Sequence, residues 1–273
     1  MLIHAKKSLG QNFLVNPHIL DKIVATAEVS KNDIILEVGP GTGNLTKKLA
    51  EKAGKVIAIE KDRQLIGPLK ETFKNYPNVE IIEADVMAKA AFVWQRQPLP
   101  YKIVANIPYY ITSNFLRMVF EEWPQPKLIV LTIQKEVARR IVVRPPYMNL
   151  LALSVQYYSE PEIIGYISRN NFRPVPKVDS AIIKLTPRSL ASGEISRSKA
   201  SGRSEEELFR LIKNGFSEKR KQLASVLAKK LKIPKEKIID IFQKEGIAPT
   251  ARAENLSLEQ WHILSKYLNT SVT

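Results

Sequence analysis

Between residues 18 and 140, short apolar runs alternate with amphipathic stretches, and that alternation narrows the fold more than any other feature of the chain. Ile34–Val38, Val56–Ile59, Val79–Ile82, Ile103–Ala105 and Leu128–Ile133 are brief and bounded by Gly, Pro, Asn or charge, as buried strands are. Leu45–Ala53, Gln64–Phe73, Ser113–Glu122 and Lys135–Val143 lie between or after them with helical periodicity, and Gly54 stands where a C-terminal cap belongs. The pattern predicts an α/β fold, a parallel sheet with helices on both faces. Ligands of such sheets bind at the carboxyl ends of the strands. After residue 150 the rhythm changes. Leu150–Tyr158 fits helix or strand equally. Ile163–Ile167 and Ala181–Leu185 read as strands either side of the Pro-rich loop Arg173–Pro176. Ser189–Ser204 is rich in Ser, Gly and Arg and reads as a flexible linker. Glu205–Tyr267 is helical, with breaks at Pro234, Gly246 and Pro249. The expected division is a large domain over 1–188, a linker over 189–204 and a small all-helical domain over 205–273.

The composition bears on partners. The 273 residues are 44% hydrophobic, enough for a sizeable core, yet carry a formal net charge of +15. A polyanion accounts for that excess most simply, because Lys and Arg displace counterions from phosphates. The last 86 residues hold 17 Lys and Arg against 10 Asp and Glu, so the helical end is the more basic per residue and a candidate for docking on RNA; solvated helix faces are the alternative for any single Lys. The absence of Cys excludes disulfides and thiolate metal sites, and His4, His18 and His262 show no ligand spacing. No metal is therefore expected. No apolar run nears the ~20 residues of a membrane span, and no secretory signal is read at the start, which makes the cytoplasm the default expectation.

Three strand ends in succession carry groups suited to a nucleoside. Glu37-Val-Gly-Pro-Gly-Thr-Gly43 is a glycine-rich turn between strand and helix, where the backbone can pass close to a ligand. A dinucleotide fingerprint would have glycine at position 44, where Asn44 stands. Glu60 follows the next strand and suits two ribose hydroxyls; Asp85 follows the third and can accept from an adenine amine. Each acid alone could equally cap a helix. Together they describe a site for a nucleoside without pyrophosphate. S-adenosylmethionine fits, and its sulfonium charge welcomes neighbouring acids.

The fourth strand ends in Asn106-Ile-Pro-Tyr-Tyr110. Pro108 keeps Ile107 out of the helical region, so the Ile107 carbonyl and the Asn106 amide oxygen can converge as two acceptors on an amine such as adenine N6. Tyr109 can stack on the base, a contact worth roughly 1–3 kcal/mol. Phe172, in a second rigid loop, is a candidate clamp on the opposite face, with core packing as its rival.

With these residues in view, the chain resembles the ribosomal RNA adenine dimethyltransferases of the kasugamycin-resistance type. The likeness runs through Lys7–Leu14, Glu37–Gly43, Glu60, Asp85, Asn106–Tyr109, Gln134–Arg139, Phe172–Ser180, Phe216–Leu223 and Arg252–Ser257. The resemblance implies a Rossmann-like class I methyltransferase sheet with a small C-terminal helical domain, and a helix over Leu150–Tyr158. It implies dimethylation at N6 of two adjacent adenines near the 3′ end of small-subunit (16S) rRNA, with S-adenosyl-L-methionine as cofactor and an assembling ribosomal particle as partner to a monomeric protein. Cofactor contacts carry over to Gln11, Asn12, Leu14, Gly39, Gly41, Glu60, Lys61, Asp85, Val86 and Asn106. The target adenine falls to Asn106, Ile107, Pro108, Tyr109 and Phe172. Apart from the resemblance, Lys219, Arg220 and Lys221 in the basic helical end are the expected RNA contacts. Two stretches depart from the family pattern: Pro145–Leu151 lacks the usual Pro-Gly and Tyr-Gly pairs, and Ser189–Ser204 is long. Three rival readings stand beside this one. They are the related resistance methyltransferases acting on large-subunit rRNA, an RNA-binding assembly or transcription factor on the same scaffold without turnover, and a dinucleotide-dependent oxidoreductase, which Asn44 disfavours.

Overall fold

The computed structural model describes Lys6 and residues 9–88, 101–188 and 199–269. In chain order the elements are β1 (Phe13–Leu14), α1 (Pro17–Thr26), β2 (Ile34–Val38), α2 (Asn44–Lys52), β3 (Lys55–Glu60), α3 (Arg63–Thr72), β4 (Val79–Glu83), β5 (Tyr101–Asn106), α4 (Thr112–Glu121) and β6 (Leu128–Gln134). There follow α5 (Lys135–Ile141), α6 (Leu150–Tyr158), β7 (Ser159–Ile167), β8 (Phe172–Arg173), β9 (Ser180–Pro187), α7 (Lys199–Gly215), α8 (Leu223–Leu231), α9 (Lys235–Lys244) and α10 (Leu258–Asn269).

Seven strands form one sheet in the order β4-β3-β2-β5-β6-β9-β7. The first five are parallel, whereas β9 runs antiparallel to β6, and β7 antiparallel to β9. The apolar runs behave as parallel strands covered on both faces must: Ile35, Leu36, Val38, Ile57, Ala58, Ile103, Val104 and Ile129 are all buried. Helix starts are set locally. The Asn16 side chain accepts from the amides of His18 and Ile19 with Pro17 at the first helical position, and Asp62 accepts from the Gln64 amide to start α3. After β4 the chain returns to the far side of β2 to build β5. The strand order therefore reverses between β2 and β5, and a crevice opens at their carboxyl ends.

By compactness the chain divides into one unit of Met1–Arg139 with Ser159–Pro187, and another of Arg140–Tyr158 with Arg188–Thr273. This differs from the expected 1–188 domain, because α6 groups with the C-terminal helices. Within that second unit the Tyr157 ring stacks on His262 at 5.6 Å and meets Phe209 edge-on at 5.1 Å. The 145–151 loop is anchored there too: the Met148 amide donates to the Glu254 carbonyl at 2.9 Å, and Asn149 Oδ1 accepts from the Ala152 amide at the start of α6.

Two local expectations are corrected. Of the presumed linker 189–204, residues 199–204 belong to α7, and 189–198 lie outside the described residues. Gly54 is not a left-handed helix cap; Ala53 ends α2 in extended conformation. Glycine is needed at 54 because a Cβ there would sit 2.2 Å from the Lys31 carbonyl oxygen. Among the described residues no helix is long and apolar enough to cross a membrane.

Candidate active site

The crevice between β2 and β5 is a cavity of about 320 Å³. Its floor is the glycine turn. Gly41 has φ +60°, which L side chains rarely adopt, and a Cβ there would lie 2.7 Å from the Phe13 ring. Glu60, at the end of β3, locks the turn: Oε2 accepts from the Gly41 amide at 3.1 Å and Oε1 from the Asp62 amide at 2.8 Å. Glu60 is only 6% exposed. Burial raises its pKa; the amides of Asp62, Gly41 and Lys61 partly offset that, and the Asp62 charge adds to it. Both carboxylate oxygens are oriented by backbone donors at the cavity wall, each keeping further acceptor capacity.

Asp85, just beyond β4, shows one of the two roles weighed for it, a cap on the turn that follows. Its Oδ1 accepts from the Met87 amide at 2.9 Å, a turn-capping bond, and Oδ2 pairs with Lys61 Nζ at 2.7 Å. Burial alone would raise its pKa, but the Lys61 ammonium and the Met87 amide hold it below the ordinary value. Asp85 is ionised at neutral pH, and Val86 beside it forms part of the cavity wall.

Residues 9–12 border the cavity on another side. Lys6 Nζ and Gln11 Nε2 both donate to Asp62, at 2.7 and 2.9 Å, while Gln11 Oε1 accepts from the Lys6 amide at 2.7 Å. Burial would raise the Asp62 pKa, yet Lys6, Gln11 and the Gln64 amide hold it low. Asn106 Nδ2 donates to the Asn12 carbonyl at 3.0 Å, which leaves Oδ1 as the acceptor of that amide. The short pairing of β1 with β8 fixes the segment further, placing Phe13 opposite Arg173 and Leu14 opposite Phe172.

The fourth wall is the turn after β5. A Cβ on Gly39 would stand 3.8 Å from Pro108 Cδ, so the 106–109 turn and the glycine turn share one cavity. The Tyr109 ring is tethered through its hydroxyl, 2.6 Å from Ser180 Oγ at the start of β9. Burial raises its pKa, the Ser180 hydroxyl opposes that, and the Asp179 charge adds to it, so the phenol stays protonated.

Twelve of the residues expected at the site line this cavity: Gln11, Asn12, Gly39, Gly41, Glu60, Lys61, Asp85, Val86, Asn106, Ile107, Pro108 and Tyr109. Two do not. Phe172 is fully buried in the core with Leu14, Ile23 and Val24, so core packing and not a clamp is its place. Leu14 packs in the same core, 4% exposed, and offers only its carbonyl, which accepts from Asn44 Nδ2 at 2.9 Å. Lys219, Arg220 and Lys221 belong to the second unit and are exposed, with Lys221 paired to Glu218 at 2.5 Å. The residue reading missed Asp62, Phe13 and Ser180. Asp62 carried a signal, a capping residue at a helix start; Ser180 had none, since it lies 71 positions from Tyr109.

An open sheet whose strand order reverses over a cavity at the strand ends, with an Asn-x-Pro-Tyr turn and a glycine turn lining it together, defines a Rossmann-like class I methyltransferase. The comparison with known proteins places it further. The description "Ribosomal RNA adenine dimethylase" matches residues 3–270, and the chain belongs to that family. It is 41% identical over 262 residues to a Ribosomal RNA small subunit methyltransferase A of Dehalococcoides mccartyi, covering 96% of this chain and 88% of that one. Among solved structures it is similar to a dimethyladenosine transferase from Plasmodium falciparum, with TM-score 0.77 and 29% identity over 95% of this chain and 98% of the other. It is also similar to the 23S rRNA methyltransferase ErmE, with TM-score 0.75 and 29% identity over 94% and 100%.

Proposed function

We propose that this chain transfers methyl groups from S-adenosyl-L-methionine to N6 of two adjacent adenines near the 3′ end of small-subunit rRNA. One observation carries the reading: the Asn106 turn and the glycine turn meet across a single cavity, with 3.8 Å between Pro108 Cδ and the position of a Cβ on Gly39. The donor set fits the cofactor. Glu60 is preset by the Gly41 and Asp62 amides to take ribose hydroxyls, Asp85 is an ionised acceptor, and two acids favour a cationic sulfonium. Gln11, Asn12, Gly39, Gly41, Lys61 and Val86 complete the enclosure; the contact inferred for Leu14 reduces to its backbone. The cofactor, when bound, supplies an activated methyl group.

The chain supplies alignment and electrostatics. Adenine N6 is a weak nucleophile because its lone pair is delocalised into the ring. Asn106 Oδ1 and the Ile107 carbonyl accept hydrogen bonds from its N–H groups and draw them out of the ring plane, which localises the lone pair. Pro108 sets the turn that lets both acceptors converge, and Tyr109, tethered to Ser180, holds the base face. No strong general base is needed, because the amine becomes acidic only as the new bond forms. RNA is gripped in part by Lys219 and Arg220, with Lys221 shared with Glu218. The protein works in the cytoplasm on a particle in assembly. A relative named as a small-subunit enzyme, 41% identical over 96% of this chain, favours the small-subunit substrate.

The test is incubation of the protein and labelled S-adenosylmethionine with isolated small and large particles lacking these methyl groups, followed by mass mapping of the rRNA. Two adjacent dimethyladenines in the small subunit are expected, whereas label confined to large particles refutes the assignment. Asn106→Ala loses about 100-fold or more in turnover while still binding cofactor. Near-normal turnover removes Asn106 from the mechanism.

A further inference from the structure

One strand over from the cavity, on the same edge of the sheet, lies an open groove of about 640 Å³ that the proposed chemistry does not use. Its walls come from the end of β6, α5 and the residues leading into β9, all within the first unit. Lys135, Arg139, Arg169 and Lys177 contribute four cations against the two acids Glu136 and Asp179. Asp179 is largely spent internally: its carbonyl accepts from the Lys135 amide at 3.0 Å, Oδ1 accepts from the Arg169 amide at 3.1 Å, and Oδ2 lies 3.8 Å from Lys135 Nζ. Among the described residues, Arg139, Arg169 and Lys177 form no ion pair, and all three are exposed. The exposed Tyr166 ring organises two of the cations, with Lys135 Nζ at 5.0 Å and the Arg139 guanidinium at 5.4 Å from its centroid.

The groove's position identifies its occupant. Asp179 is followed directly by Ser180, whose hydroxyl holds Tyr109, so the groove begins one residue from the tether of the base platform. A nucleotide whose base reaches Tyr109 brings its flanking phosphates with it. Exposed cations held by a ring and by backbone bonds form a track of the kind such phosphates need. We propose that this groove carries the phosphodiester backbone of the RNA strand flanking the target adenine, with Arg139, Arg169 and Lys177 as the phosphate contacts and Tyr166 positioning Lys135 and Arg139. The assignment rests on the functional reading above, which names the base at Tyr109.

The experiment uses the full chain and a 3′-terminal hairpin fragment of small-subunit rRNA, titrated between about 50 and 200 mM salt. The triple variant Arg139→Gln/Arg169→Gln/Lys177→Gln flattens the log–log salt slope by about 2 and weakens binding at least tenfold near physiological salt. It leaves S-adenosylmethionine affinity and the melting temperature unchanged. The charge-keeping variant Arg139→Lys/Arg169→Lys retains the slope, which separates lost charge from lost fold. A variant at Lys219, Arg220 and Lys221, run alongside, reports the second unit's own share of the slope. An unchanged slope in the groove variant overturns the proposal. So does a defect seen only on the assembled particle with naked RNA unaffected, which would assign the groove to an acidic protein. The salt slope needs no cofactor. Failure of the wild-type chain to bind S-adenosylmethionine therefore strikes the functional reading alone and leaves the slope to decide the groove.

Discussion

Glu37 shows how much a single side chain can cost this fold. It sits in the middle of the sheet, 1% exposed, and its Oε2 has no hydrogen-bond partner. Burial raises its pKa to about 8; the neighbouring Thr46 hydroxyl favours ionisation slightly, without a hydrogen bond of ordinary geometry, and the Glu60 charge opposes it. Glu37 is therefore largely protonated at neutral pH, a neutral acid behind the glycine turn. The consequence for stability has a definite sign. The folded state holds this proton more tightly than the unfolded chain, whose reference value is 4.5. Stability from this group is full below that value and declines as pH rises through the window up to about 8. Glu37→Gln keeps the shape and removes the titration. Its melting temperature should gain on the wild type steadily between pH 5 and pH 8.5, read by thermal unfolding at both ends. A difference that stays constant with pH would mean that the folded carboxyl is not protonated there.

At the scale of elements, the glycine turn between β2 and α2 is held by shape from two sides, by Phe13 from β1 and by Glu60 from β3. Gly41→Ala adds backbone strain of roughly 1–2 kcal/mol at positive φ and a collision with the Phe13 ring. Its melting temperature should fall by several degrees, and cofactor affinity should fall with it in calorimetry. Adding Phe13→Leu relieves the collision and recovers part of the loss, while the backbone strain remains; full recovery would show that φ carries no cost. The elements also explain what could be read in advance. The five parallel strands announce themselves because burial on both faces leaves uninterrupted apolar runs. α6 does not, since Ala152, Leu153, Val155, Gln156, Tyr157 and Tyr158 are all buried and no polar face marks its period; even Gln156 is inside, donating to the Ile141 and Val143 carbonyls at 2.8 and 2.9 Å. Only family resemblance decided that helix. Most cavity residues were legible because strand ends and turns lie in short local patterns. Phe172 and Ser180 were not, because their places depend on strand pairings made across the chain, β1 with β8 and β6 with β9.

For the whole molecule, the decisive fact is that the chain leaves the first unit at Arg139, returns at Ser159 and leaves again after Pro187. A cut at 188, the boundary that composition suggests, would keep α6 while deleting Phe209 and His262, the rings that cover Tyr157. A 1–188 fragment is expected to bind a hydrophobic dye and aggregate where the full chain does not; a soluble, dye-silent fragment would show that α6 is self-sufficient. The same threading imposes an order on birth at the ribosome. Synthesis is vectorial, so α6 emerges before β7 and β9 can close the sheet and long before its own ring partners exist. The last parallel strand, β6, must wait beside an open edge while an orphaned apolar helix passes it. The nascent protein thus traverses an interval in which neither half is finished, and chaperone dependence should peak there and not at either end of translation.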